Sequence, residues 1–384
     1  MNKTDKDYRR HLRANRIFRV LLGPLINYIF RFKAAPSSLP EGPCLVLANH
    51  NTDLDPALIQ LSFRELLYFV ASEHVFRAGL ASRFLRRYFD PISRLKGSTD
   101  LGTVMEVLKR LKKGHKVCIF AEGNRSFNGQ TCPISPATGK LCRISGVPLV
   151  TYKFEGGYFT SPRWSRSLRR GRMRGGVVGT YTAEMLRAMS DKEVSAAIAR
   201  DLWEDAYVRQ ALERTRFRGR RLAEGLERAL FICPACHQID SLKSHENELR
   251  CDCGLRAVYD EYGYLSGAPF DSVTAWDLWQ DGQLEKIACS GVEGFVFSDP
   301  AVRLYQVLEG HTSRLLSEGP AAMYRDRLEA GGHVFRLTDI GGMAVYGAAS
   351  IAFTSNGKHY EIKADPSFCG RKYLELYQKL KGRD

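Results

Sequence analysis

The sequence predicts an α/β domain, then a small cysteine-held ribbon, then a β-rich C-terminal domain with a closing helix. Three observations carry this reading. Between residues 44 and 154 short apolar runs alternate with stretches of helical period, the pattern of strands and helices packed on one sheet. Four of the ten cysteines crowd into residues 233–253. From about residue 290 to 364, short alternating runs follow one another before a last helical stretch. A chain of 384 residues has room for two or three domains, since one takes about 100–200 residues. Residues 1–35 read as a helical segment at a membrane interface, 36–230 as the α/β domain with a helical extension, 231–265 as the ribbon, and 266–384 as the β-rich domain.

The elements follow in order. Ile17 to Phe32 is the most apolar N-terminal stretch, but Arg19, Pro24, Asn27 and Arg31 interrupt it. A spanning helix needs about 20 apolar residues. The run therefore suits a helix lying in the interface or two core-packing helices broken at Gly23-Pro24. The first 16 residues are charged and do not read as a secretory signal. Pro36 to Pro43 is a turn-rich link. Cys44–Ala48 is a short buried strand. Asp55-Pro56 starts a helix, with Asp55 at the N-cap and Pro56 in the first helical position. Tyr68–Ala71 is a strand and Ala81–Phe89 a basic, aromatic helix. Apolar residues at 101, 104, 105, 108 and 111 make Leu101–Lys113 helical, and Gly114 ends it. Lys116–Phe120 is a buried strand, Leu141–Ser145 ends a helix, and Val147–Phe154 is a further strand. Asp191–Leu230 reads as one long helical region. Ala301–Leu308, His333–Leu337, Ser350–Thr354 and Lys358–Ile362 are strands, with a hairpin turn at Ser355-Asn-Gly357. Pro366 to Lys381 is the closing helix. This strand pattern, with its closing helix, resembles that of a pleckstrin-homology-like barrel.

Charge is unevenly placed. Residues 1–230 carry 41 Lys and Arg against 21 Asp and Glu, a net +20, whereas 231–384 carry 16 against 21, a net −5. The basic half is expected to face a phospholipid surface, a phosphorylated substrate or nucleic acid. Six arginines fall within Arg163–Arg174. They suit a grip on anionic headgroups, a solvated basic loop, or a nucleic-acid contact in which Trp164 stacks on a base.

His50 and Asp55 carry the first chemical signal. A spacing of five sets side chains about 140° apart on a helix, so the two meet only if the chain curls back after the strand. A carboxylate that orients an imidazole can take a proton from a hydroxyl. Glu122-Gly-Asn-Arg-Ser126 follows a buried strand directly, and α/β proteins bind ligands at such carboxyl ends. Gly123 permits close approach of a ligand. Arg125 offers a planar fork for phosphate, and Glu122 can hold that fork or a substrate hydroxyl.

These segments resemble the glycerophospholipid acyltransferases. Asn49-His50 through Asp55 is similar to that family's Asn-His-x4-Asp block. Phe120-Ala-Glu-Gly-Asn-Arg-Ser126 is similar to its Phe-Pro-Glu-Gly-Thr-Arg-Ser block, departing at Ala121 and Asn124. Ile92-Ser-Arg94 and Val147-Pro-Leu-Val150 resemble two weaker blocks, and the likeness covers roughly residues 20–185. The resemblance implies a mixed sheet flanked by helices. It also implies acyl transfer from acyl-CoA or acyl carrier protein to 1-acyl-glycerol-3-phosphate or another lysophospholipid. His50 would be the general base and Asp55 its orienter. Arg94, Glu122, Gly123 and Arg125 would hold the acceptor, and Lys96 is either a further phosphate contact or a solvated lysine. An anionic membrane surface on the cytoplasmic side is the expected partner.

Cys233-Pro-Ala-Cys236 and Cys251-Asp-Cys253 read as a zinc ribbon, two turns supplying four thiolates to a structural Zn²⁺. The second pair is spaced Cys-x-Cys, so His237 or His245 is an alternative ligand. The other six cysteines are scattered, which suits a reducing compartment. A ribbon with arginine-rich segments also fits a nucleic-acid-binding module. That reading leaves the His50–Asp55 and Glu122–Arg125 blocks without a role, so nucleic acid is not expected as a partner.

Overall fold

The computed structural model describes residues 3–72, 75–76, 79–94, 101–290, 294–308, 312–347, 349–365 and 368–382. The chain packs as two compact units, one drawn from residues 1–218 and the other from Gly219–Asp384 together with Trp164–Ser167.

The first unit begins with helices α1 (Lys3–Leu21) and α2 (Gly23–Phe30), with Pro24 in the opening turn of α2. The chain breaks at the Gly23-Pro24 step, as its chemistry requires. Gly23 also lets Leu61 approach, since a Cβ there would lie 2.9 Å from a Leu61 methyl. No helix among the described residues is long and apolar enough to cross a membrane.

A mixed seven-stranded sheet follows: β1 (Phe32–Ala34), β2 (Leu45–Ala48), β3 (Leu67–Ser72), β4 (Ile92–Arg94), β5 (Lys116–Phe120), β6 (Leu149–Glu155) and β7 (Met173–Tyr181). Their order across the sheet is β1-β7-β6-β2-β5-β3-β4. β6 and β7 pair antiparallel, and every other neighbouring pair is parallel. Between the strands run α3 (Asp55–Ser62), α4 (Leu80–Tyr88), α5 (Leu101–Lys112), α6 (Pro136–Ser145) and α7 (Gly157–Thr160). After β7 come α8 (Ala183–Ala188), α9 (Asp191–Leu202) and α10 (Ala206–Glu213). β2 is central and buried on both faces. Val46 and Ala48 enter one core with Phe63, Tyr152 and Phe154. Leu45 and Leu47 enter the other with Val107, Leu111 and Ile198. This two-sided burial explains the uninterrupted apolar runs of β2 and β5.

The long helical region expected over 191–230 is helical up to Glu213, as two short helices. Asp205 ends the first by capping the second, its carboxylate accepting from Tyr207 N and Val208 N. Beyond Arg214, only one further helical turn, of 3₁₀ type at Leu226–Arg228, precedes the cysteines.

In the second unit a four-stranded antiparallel sheet holds β8 (Leu242–His245), β9 (Glu248–Cys251), β10 (Arg256–Tyr259) and β11 (Leu265–Ser266). Helix α11 (Val273–Cys289) follows. A seven-stranded antiparallel sheet then forms from β12 (Phe297–Leu308), β13 (Thr312–Met323), β14 (Arg327–Ala330), β15 (His333–Arg336), β16 (Ile340–Tyr346), β17 (Ser350–Ser355) and β18 (Lys358–Lys363). Asn356 and Gly357 both take positive φ between β17 and β18, as a tight hairpin demands. The closing helix α12 spans Gly370–Lys381, and Pro366, its expected start, lies outside the described residues. Lys372 is fully buried and pairs with Asp240, just ahead of β8, and with Asp299 of β12 at 2.8 Å.

Candidate active site and metal centre

The loop leaving β2 curls back on itself. Asp55 is fully buried, and its Oδ2 accepts from His50 Nδ1 at 2.9 Å, Asn51 N at 2.6 Å and Thr52 N at 2.9 Å. Its Oδ1 accepts from Thr52 Oγ1 at 2.7 Å. The expected N-cap role is therefore corrected. Leu54 is the cap position, and the Asp55 carboxylate turns backwards onto the loop instead of onto the first helical N–H groups. Pro56 still opens the helix. Phe120, the last residue of β5, stacks on the His50 ring at 4.5 Å between centroids. The imidazole is thus fixed by a hydrogen bond at one edge and an aromatic face. Its side chain remains 21% exposed, enough to meet a ligand.

Glu122 does not pair with Arg125. Its Oε1 accepts from His50 N at 2.7 Å and its Oε2 from Cys132 N at 2.5 Å. Burial pushes its carboxyl up to about 8, against the pull of these two backbone donors. Its contacts are thus with two backbone N–H groups, one in the His50 loop and one at Cys132. Gly123 has φ +67°, and a Cβ there would lie 3.2 Å from Arg94 Nη1, so glycine allows the Arg94 guanidinium to rest against the loop. Arg125 pairs with the exposed Asp53 at 3.2 Å and reaches Ser161 O at 3.3 Å. Arg94, Gly123 and Arg125 thus come from the carboxyl ends of two strands that flank β3. Lys96 lies outside the described residues.

The arginine-rich segment divides. Arg163 and Arg169 are buried, and Arg163 stacks over Phe127 at 4.4 Å while bonding Arg125 O at 3.0 Å. Trp164 is fully buried, so it has no face for a base, and the nucleic-acid contact proposed for it is withdrawn.

In the second unit the Sγ atoms of Cys233, Cys236, Cys251 and Cys253 all lie within 4.8 Å of one another. Cys233–Cys253 and Cys236–Cys251 are each 3.7 Å apart. Thiolates at about 2.3 Å from a tetrahedral ion stand about 3.8 Å apart, so the cluster fits a metal and is too open for disulfides. The Cys-x-Cys spacing is absorbed by a turn in which Gly254 N bonds Cys251 O. Neither His237 nor His245 belongs to this group among the described residues.

The family model described as Acyltransferase matches residues 31–155, a span that holds all six candidate site residues from His50 to Arg125. The chain carries an acyltransferase-family domain. Human 1-acyl-sn-glycerol-3-phosphate acyltransferase beta is 26% identical over 185 residues, which are 44% of this chain and 60% of that protein. This chain therefore spans about 60% of the length of this curated relative. Among solved structures, PlsC, the 1-acyl-sn-glycerophosphate (LPA) acyltransferase of Thermotoga maritima, is similar at 20% identity and TM-score 0.39, over 48% of this chain and 79% of that one. The C-terminal PH domain of human FYVE, RhoGEF and PH domain containing protein 3 is similar at 15% identity and TM-score 0.18, over 24% of this chain and 92% of that one.

Several contributors to the site escape sequence reasoning. Asn49 exchanges bonds with Phe154 N and O at 2.7 and 2.9 Å, and Thr52 and Asp53 hold Asp55 and Arg125. The first partner is 105 residues away, so no local spacing signals it.

Proposed function

We propose that this chain transfers a fatty acyl group from a thioester, acyl-CoA or acyl carrier protein, to the free hydroxyl of 1-acyl-glycerol-3-phosphate. The product is phosphatidic acid. The His50 Nδ1–Asp55 bond of 2.9 Å is the observation that carries this reading. A carboxylate only accepts, so the neutral ring holds its proton on Nδ1 and presents a bare lone pair at Nε2. Nε2 takes the acceptor's hydroxyl proton as its oxygen attacks the thioester carbonyl. The carbon–sulfur bond breaks, and the thiolate leaves with a proton returned by the imidazolium. Asp55 offsets the charge on that imidazolium. No protein nucleophile is required. Arg94 and Arg125 supply the cationic forks for the acceptor's phosphate, with Asp53 displaced from Arg125 when phosphate binds.

The exposed apolar side chains Ile17, Val20, Leu21, Leu25 and Tyr28 on α1 and α2, with Leu22 between them, and the basic character of this unit support docking on an anionic membrane surface. The four cysteines would hold a structural Zn²⁺ that stabilises the ribbon. Purified full-length chain offered a panel of lysolipids with both donors tests the assignment. Phosphatidic acid formation is expected to exceed every other product. Transfer to a different lysolipid alone would move the assignment to that acceptor.

A further inference from the structure

The His50 loop is clasped from a second side by a carboxylate outside the matched acyltransferase segment. Glu204 sits in the junction between α9 and α10 and is 7% exposed. Its Oε2 accepts from Asn51 Nδ2 at 3.2 Å and Asn49 Nδ2 at 3.4 Å. Its Oε1 accepts from Gly156 N at 3.3 Å and pairs with Arg209. These contacts bracket His50, since residues 49 and 51 are its chain neighbours. Asn49 and Asn51 each bond Phe154 O as well, at 2.9 and 3.3 Å, so the loop is tied to β6 and to Glu204 together. The junction is anchored in turn. Glu204 N donates to Thr131 Oγ1 at 2.8 Å, and Thr131 N returns a bond to Glu204 O at 3.0 Å. The next residue, Cys132, donates to Glu122, the carboxylate that holds His50 N. Two carboxylates thus grip the loop, one anchored on Thr131 and the other on its chain neighbour Cys132.

A buried carboxylate carries a desolvation penalty, and burial pushes the Glu204 carboxyl up while Arg209 pulls it down. A helix junction alone does not need such a group, because Asp205 already caps α10. We propose that Glu204 is a positioning residue that sets the His50 ring through Asn49 and Asn51, making the α9–α10 junction part of the active site. This rests on the acyl-transfer reading given above.

The test uses the full chain in Glu204→Gln, Asn51→Ala and the double variant. Glu204→Gln is expected to lower kcat about 10- to 100-fold, the loss typical of a catalytic group displaced by about 1 Å, with KM for lysophospholipid and thioester within about 2-fold. Asn51→Ala leaves the Glu204–Arg209 pair intact and is expected to lower kcat similarly, so it remains informative where Glu204→Gln fails to fold. In the Asn51→Ala background, Glu204→Gln should cost no more than about 3-fold further. Amide exchange of residues 49–52 should quicken in both single variants. Full kcat in either folded variant overturns the proposal, as do fully multiplicative losses. If the wild type transfers no acyl group at all, the acyl-transfer reading is what fails. Exchange at residues 49–52 then decides the clasp alone, and unchanged exchange overturns it.

Discussion

Replacing Asp55 with Asn isolates the charge of this side chain from its shape. The amide oxygen can take the place of Oδ2 and still accept from His50 Nδ1, Asn51 N and Thr52 N. The amide NH₂ then faces Thr52 Oγ1, whose hydroxyl turns to accept. Loop geometry and ring tautomer are kept, and the negative charge is lost. The proposed transfer would place a positive charge on His50, and unit charges about 4 Å apart attract by about 4 kcal/mol at an effective dielectric of about 20. Desolvation offsets part of this, leaving about 2–4 kcal/mol of transition-state stabilisation, or about 30- to 1,000-fold in kcat. Stability should fall by only about 1–2 kcal/mol, because three charge-assisted bonds become neutral ones. Asp55→Ala should cost more, since it orphans the buried Thr52 N–H, at about 1–3 kcal/mol, and the part-buried Asn51 N–H. Thiol release from the donor, read with saturating acceptor beside thermal unfolding, separates the two effects. Wild-type kcat in folded Asp55→Asn would refute the charge argument, and so would a loss that merely tracks the unfolded fraction.

Other outcomes follow from the same structure. Arg125→Ala is expected to raise KM for a phosphate-bearing acceptor by about 10- to 100-fold, through loss of a charge-assisted pair worth about 1.5–3 kcal/mol, with a smaller effect on donor KM in the same kinetic series. Treatment with a chelator, or replacing Cys233 with Ser, should release one metal equivalent by elemental analysis and lower the melting temperature of the whole chain. For Glu122 the sign runs against ordinary carboxylates. Its carboxyl stands at about 8 in the folded chain against 4.5 for the free group, so the native state holds the extra proton between these values. Relative to Glu122→Gln, wild-type stability should therefore fall as pH rises from about 4.5 towards 8 and level off above. Denaturant midpoints across that range check it.

Much of the first unit was legible in the chain because its central strands are buried on both faces. β2 and β5 read as continuous apolar runs, and β5 falls on the residues expected of it. β7 was not legible. It contains Gly175, Gly176 and Gly179, and a Cβ at Gly175 would lie 2.3 Å from Tyr152 Oη, so packing requires glycine where propensity argues against a strand. α11 was missed because its buried face mixes Asp277 and Gln280 with Trp276 and Leu284, which erases an apolar stripe. The same contrast holds in the site. His50 and Asp55 meet across five residues and could be read together. Glu122 and Arg125 lie three apart and invited a pairing that does not form, because backbone N–H groups claim Glu122 and Asp53 claims Arg125. Glu204 stands 155 residues from Asn49, beyond the reach of any local pattern.

The most direct test of the acyl-transfer account is phosphatidic acid formation by the purified full chain and by His50→Ala, with lysophosphatidic acid as acceptor, both thioester donors, and matched folding by thermal melt. The account predicts turnover in the wild type and loss of at least about 100-fold in the variant, the size of a general-base contribution. Undiminished turnover by folded His50→Ala would contradict it.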